Sequence, residues 1–236
     1  MERPLTIQNR DVVRLLLAAT IVLGCVAHQH AAFAQDASTQ GAGGVAAESV
    51  MTPAACQGRL DARHVTFAFT PAVAEGDCAI PLPVKIQSLA VGTDEIAFSG
   101  EPILDCRLSE RLADWIGNVV QPLARHHLGA GLASVETGPG YVCRKRNNAA
   151  TGKLSEHAKG NALDIFAFAL SDGQRVAVRS VDGSPPAVAA FLAAVRTTAC
   201  GYFLTVLGPG SDASHAEHLH VDLGLHGRTE NYKICE

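Results

Sequence analysis

Two short segments of this chain carry most of the residue types that could do chemistry. Residues 155–164 read SEHAKGNALD, and residues 214–222 read SHAEHLHVD. Proteins hold zinc with imidazole nitrogens and carboxylate oxygens, and a catalytic zinc keeps three protein ligands and one open position for water. His157, Asp164 and His220 provide such a set, so the two segments together predict a metal site.

Asp164 stands in an apolar run that is typical of a strand. Alternate side chains of a strand face opposite sides, so Asp164 should point away from Leu163 and Ile165, which enter the core. A lone carboxylate at such a position is costly, and pairing it with a dication removes that cost. Gly160 permits a turn that lets the side chains of His157 and Asp164 converge.

The second segment offers two candidates for a catalytic base. A period of two places His218, His220 and Asp222 on one face of a strand, with Glu217 at its entry. Either Glu217 or His218 is then placed to take a proton from zinc-bound water and return it to a leaving amine. We interpret His215 as a surface residue or as support behind the ligands.

Two helices should form the scaffold of this site. Apolar residues recur at three- and four-residue spacing over residues 106–129, which predicts an amphipathic helix that Pro122 kinks or interrupts near its end. A second helix is indicated by Ser184 as its cap, by prolines at 185–186 in its first turn and by Gly201 beyond its last turn.

Strand-like runs are shorter, and they do not alternate strictly with the helices. This mixture predicts an α+β domain in which a small antiparallel sheet has helices packed on one side. The expected strands are His64–Phe69, Leu132–Glu136, Ala162–Phe168, Arg175–Arg179, Tyr202–Val206 and Leu219–Leu225.

The chain as a whole reads as one exported domain. Residues 1–34 have a basic start, an apolar core and a small-residue site before Gln35, which predicts a secretory signal peptide. Residues 35–52 are small and polar, as in a flexible linker, and residues 53–236 suffice for a single core. No run is long enough for a comfortable membrane span, so we expect a soluble exported protein.

The cysteines and the charge agree with export. Without Cys25 of the leader, the remaining cysteines favour three disulfides in an oxidising compartment, although all fifteen pairings stay open. A lipid anchor at Cys25 is the less favoured alternative, because the downstream cleavage site fits better. The net charge of −4 makes nucleic acid an unexpected partner. The six cysteines are Cys56, Cys78, Cys106, Cys143, Cys200 and Cys235.

Two family resemblances follow from these motifs. The pattern SxHxxGxAxD at residues 155–164, followed by ExxH at residues 217–220, resembles the zinc D-Ala-D-Ala carboxypeptidases and dipeptidases of the lysostaphin, D-Ala-D-Ala metallopeptidase and hedgehog superfamily. More closely, most of residues 53–236 look like the bacterial extensin-like protein C-terminal domain. That likeness is carried by YVCR at 141–144, LSEHA at 154–158, NALDI at 161–165, VLGPG at 206–210 and HLH at 218–220.

The resemblance implies a small, hedgehog-like α+β fold and an exported hydrolase of the periplasm or cell envelope. Its zinc would be held by His157, Asp164 and His220, and its substrates would be peptidoglycan peptides. Glu217 matches the general base of the dipeptidase branch. His218 matches a histidine that helps to stabilise the transition state in the endopeptidase branch.

The resemblance also suggests a substrate site and a second function. Arg144 lies near the position of the dipeptidases' substrate-binding arginine, and a guanidinium suits a terminal carboxylate bidentately. Arg146 is an equal candidate, and a basic surface cluster explains both residues as well. We expect a zinc metallopeptidase that hydrolyses amide bonds in peptidoglycan stem peptides. The alternative is a non-catalytic cell-wall-binding module that retains a structural metal site, because the hedgehog branch shows that such a site need not imply peptidase activity.

Overall fold

The structure is a computed structural model that describes residues 51–179, 182–227 and 232–236. The expected signal peptide, with Cys25, and the expected linker up to residue 50 lie outside the described residues. Among the helices of the described part, none has the length and apolarity that crossing a bilayer requires.

The described strands, in chain order, are β1 (Val65–Phe69), β2 (Val73–Glu75), β3 (Cys78–Ile80), β4 (Pro83–Val91), β5 (Asp94–Phe98), β6 (Ile103–Asp105), β7 (Leu132–Thr137), β8 (Ala162–Leu170), β9 (Arg175–Ala177), β10 (Thr205–Leu207), β11 (Leu219–Asp222) and β12 (Ile234–Cys235). The main sheet runs in the order β1-β4-β5-β7-β8-β11-β10-β12, with β6 beside β4 and β9 beside β8. The strands β2 and β3 form a separate hairpin.

The expected α+β class is confirmed, but the expected small antiparallel sheet is wrong. The sheet is large and mixed, since β5 pairs with β7 and β10 pairs with β12 in parallel. The sequence-based expectation contained no strand from β2 to β6. Three of those five strands have only three residues each, which is too short for a period of two to be recognised.

The helices are α1 (Pro53–Asp61), α2 (Cys106–Trp115), α3 (Gln121–Leu128) and α4 (Pro186–Tyr202), and a π-helical segment (Ile116–Val120) joins α2 to α3. The helix expected over residues 106–129 is thus present, and Pro122 lies in the first turn of α3, directly after the π-helical segment. A proline is tolerated there because a first-turn N–H has no intrahelical partner in any case.

The expected ends of α4 are wrong in detail. Pro185 occupies the N-cap position without a side-chain hydrogen bond, so Ser184 is not the cap. Gly201 lies inside the last turn rather than beyond it, and Phe203 ends the helix in extended backbone. Aromatic contacts fix the helical layer on the sheet, since Phe191 of α4 meets Phe168 of β8 edge-on.

Three disulfides confirm the expectation drawn from the six cysteines and fix their pairing. The bridge Cys56–Cys106 ties α1 to the start of α2. The bridge Cys78–Cys143 ties β3 to the loop after β7, and Cys200–Cys235 ties α4 to β12. Such bridges persist in oxidising compartments, so they are consistent with export.

The turn before β8 requires a glycine for two separate reasons. Gly160 has a φ of +64°, and a Cβ added there would lie 2.6 Å from Ile80 Cδ1 and 2.8 Å from the backbone nitrogen of Asp105. Gly76 has a similar φ of +57°, but nothing lies within 4 Å of the corresponding position. Comparison of substitutions at the two glycines therefore distinguishes the cost of backbone strain from the cost of close packing.

We predict that Gly160→Ala lowers the free energy of unfolding by about 3 kcal/mol or more, since it combines left-handed strain with overpacking. The matched variant Gly76→Ala should lose only about 1–2 kcal/mol, from strain alone. Denaturant unfolding of both variants measures the difference. Equal losses would show that the close approach at Gly160 costs nothing.

Candidate metal centre

The pairing of β8 with β11 brings Asp164 and His220 together. The two strands are antiparallel, and Asp164 and His220 are direct partners in the register. Leu163 and Ile165 are fully buried, whereas Asp164 lies on the opposite face of β8. The predicted direction of the Asp164 side chain is thereby confirmed.

His157 reaches the same point from a short 3-10 turn (Glu156–Lys159) directly before β8. The Ser155 hydroxyl caps this turn by accepting the backbone N–H of His157, and Gly160 ends it in the left-handed conformation. The Nδ1 of His157 lies 2.7 Å from the carbonyl oxygen of Gly140. A carbonyl only accepts hydrogen bonds, so Nδ1 carries the proton and Nε2 presents a lone pair.

The three predicted ligands form one compact group. One nitrogen or oxygen atom from each of His157, Asp164 and His220 lies within 4.8 Å of the other two. Nε2 of His157 is buried without a hydrogen-bond partner, although it lies 3.3 Å from Asp164 Oδ2. A nitrogen lone pair and a carboxylate oxygen repel each other when no proton lies between them. A cation bound between the two atoms removes this repulsion. The residues therefore fit a metal ion.

The ionisable side chains of this group shift the pKa values of one another. Burial alone would lower the pKa of His220, but hydrogen bonds to Asp164 and Asp222 raise it to about 9. Burial alone would raise the pKa of Asp164, yet the neighbouring imidazoles of His157 and His220 hold it well below its usual range. Without a metal, the positive charge of a protonated His220 thus balances the negative charges of Asp164 and Asp222, which a dication would otherwise neutralise.

The two candidate bases occupy different places. His218 lines the cavity at the metal group, and its Nε2 lies 3.5 Å from Asp164 Oδ1. Burial lowers the pKa of His218, with Asp164 opposing this shift. Glu217 is exposed in the turn before β11 and is not one of the residues that line the cavity. The structure thus brings His218, but not Glu217, to the metal group.

A cavity of about 370 Å³ is lined by two of the three candidate ligands, Asp164 and His220. Arg144 and Arg146, the two predicted substrate-binding residues, both line it. The guanidinium of Arg146 lies 3.9 Å from the buried carboxylate of Glu156, whereas Arg144 makes one long hydrogen bond of 3.5 Å to the carbonyl of Lys145. Both arginines therefore add positive charge to the lining of the cavity.

Three further polar residues line this cavity, of which the sequence analysis named only His215, as a surface residue or as support behind the ligands. His215 lines it, and its Nδ1 lies 2.8 Å from either carboxylate oxygen of Asp212. Thr205 and His226 also line it and hydrogen-bond each other at 2.7 Å. The three-residue spacing of Asp212 and His215 was a possible signal, but nothing in the sequence pointed to Thr205 or His226.

We predict that the purified protein binds one zinc ion and that His157→Ala, Asp164→Ala and His220→Ala each abolish stoichiometric binding, because three donors are needed to hold the ion. Elemental analysis after dialysis measures this. His126→Ala, which removes an exposed histidine of α3, is the matched control and should retain the metal. Zinc retained by the three ligand variants would show that the ion binds elsewhere.

Comparison with known families adds one match. A family model described as extensin-like protein C-terminus matches residues 54–236. No curated protein and no solved structure matches the chain. The match confirms the resemblance to the extensin-like domain, and the similarity to the zinc D-Ala-D-Ala peptidases stays a prediction.

Proposed function

The chain belongs to the extensin-like protein C-terminus family, and on that premise we propose that it is an exported zinc metallopeptidase that hydrolyses amide bonds in peptidoglycan stem peptides. The observation that carries the proposal is the group of His157, Asp164 and His220, of which Asp164 and His220 line an open cavity. The likeness of the two motif segments to the zinc D-Ala-D-Ala carboxypeptidases and dipeptidases supports the substrate class.

The donor set favours zinc and a hydrolytic role. Two imidazoles and one carboxylate match the three-ligand sets of catalytic zinc sites, which leave a position open for water. When bound, zinc would polarise the scissile carbonyl and lower the pKa of that water. Disulfides in the fold agree with work outside the cytoplasm, where peptidoglycan lies.

His218 is the better placed of the two candidate bases. Its imidazole lies beside Asp164 at the cavity surface, and 17% of the side chain is exposed. A neutral imidazole at this position accepts a proton from the attacking water and returns it to the leaving amine. Glu217 is exposed on the turn before β11 and is not one of the residues that line the cavity.

Arg144 is the better placed of the two candidate substrate anchors. Its guanidinium keeps donors available, because its hydrogen bond to Lys145 is long. Arg146 is partly neutralised by Glu156. A stem peptide ends in a carboxylate, which a guanidinium binds with two parallel hydrogen bonds. Binding there would fix the peptide across the cavity with its amide bond near the metal group.

We predict that the zinc-loaded protein releases a D-amino acid from muropeptides or cleaves a crosslink, as measured by mass spectrometry of the products. His218→Ala should lower kcat by about 100-fold or more, since general base catalysis contributes about 100- to 10,000-fold. Glu217→Ala is the matched control and should change kcat little. A reversed order would assign the base to Glu217.

The alternative, a non-catalytic wall-binding module, is favoured by one observation. The residue that matches the dipeptidase base, Glu217, lies outside the cavity lining. In that case the zinc-loaded protein binds purified sacculi in a pull-down and leaves every muropeptide intact. Intact muropeptides would refute the peptidase proposal, and absence of binding to sacculi would refute the module as well.

A further inference from the structure

We propose that Asp222 is a positioning residue that holds the His220 ring for metal binding and thereby sets the metal affinity of the centre. The inference rests on the proposed zinc site and adds to it a residue that contacts one of the three ligands. Nothing in the motif resemblance assigned a role to Asp222.

The two nitrogens of His220 face different carboxylates. Nδ1 lies 2.8 Å from Asp164 Oδ1, on the side of the metal group. Nε2 lies 3.1 Å from Asp222 Oδ2, on the other side of the ring. His220 can therefore bind a metal through Nδ1 only while its Nε2 donates a proton to Asp222. A carboxylate in this position fixes the tautomer, orients the ring and raises the basicity of the ligand.

Asp222 is itself held in place. It is 5% exposed, and its Oδ1 accepts the backbone N–H of Gly224 at 2.8 Å. Thr205, its direct partner across β10 and β11, also hydrogen-bonds the carboxylate. The Oγ1 atom of Thr205 also lies 2.7 Å from Nε2 of His226. A carboxylate held by two other groups, the Gly224 N–H and Thr205, can orient the His220 imidazole with little freedom to rotate.

The chain contains a matched pair that lacks the metal connection. Asp212 accepts from Nδ1 of His215 at 2.8 Å, next to the same cavity. His215 does not belong to the metal group. Replacing either aspartate by asparagine removes one negative charge from a histidine–carboxylate pair. Only the substitution at Asp222 should therefore change the affinity for the metal.

The test is zinc affinity, measured by competition with a chromophoric chelator, for full-length protein carrying Asp222→Asn or Asp212→Asn. We expect Asp222→Asn to weaken zinc binding about 10- to 100-fold, the range for lost partners of metal-bound histidines. Asp212→Asn should stay within about 3-fold of the wild type, because its histidine is not a ligand. Equal affinities of the two variants would overturn the inference.

Two further measurements separate positioning from a general loss of structure. Thr205→Val keeps the size of the side chain and the Asp222 carboxylate, so it should weaken zinc in the same direction but less than Asp222→Asn does. In ¹⁵N-labelled zinc-bound protein, the His220 ring should carry its proton on Nε2. A proton on Nδ1, or a wild-type affinity in Asp222→Asn, would contradict the assignment.

These outcomes are distinct from failure of the proposed function. If the wild type binds no zinc, both ideas fail together. If the wild type binds zinc and Asp222→Asn binds it equally well, only the role of Asp222 is lost. If zinc binds and responds to Asp222 but no muropeptide is cleaved, the positioning role stands and the peptidase proposal falls.

Discussion

The register between β8 and β11 is the constraint on which the candidate site depends. It sets Asp164 directly opposite His220 and, two residues on, Ala162 opposite Asp222. Because side chains alternate along a strand, a slip by one residue would turn Asp164 and His220 to opposite faces of the sheet. Leu163 and Val221, which are fully buried and paired in the same register, resist that slip because it would bring them out of the core.

The surrounding elements complete the group around this strand pair. The 3-10 turn before β8 delivers His157, and Gly160 lets that turn pack within van der Waals distance of Ile80 and Asp105. On the other side, β10 supports β11 and sets Thr205 opposite Asp222. The site therefore consists of residues from three neighbouring strands and one turn, held with little freedom, as a metal centre requires.

Local patterns predicted the part of this arrangement that is local. The alternation around Asp164 correctly gave the face of β8, and the even cysteine count gave three disulfides. The pairing of those cysteines and the parallel strand contacts depend on contacts distant in sequence, and the strands β2, β3 and β6 are too short to show a period of two. Sequence spacing also did not distinguish Glu217 from His218 as the candidate catalytic base. Only the path of the turn before β11 distinguishes them, since it leaves Glu217 exposed.

The most direct test of the metal centre is a crystal structure of the zinc-loaded protein with anomalous data collected on both sides of the zinc absorption edge. The account predicts one strong anomalous peak, about 2.0–2.2 Å from Nε2 of His157, a carboxylate oxygen of Asp164 and Nδ1 of His220, which are ordinary zinc–ligand distances. A peak elsewhere, or a map without a peak between these three residues, would contradict it.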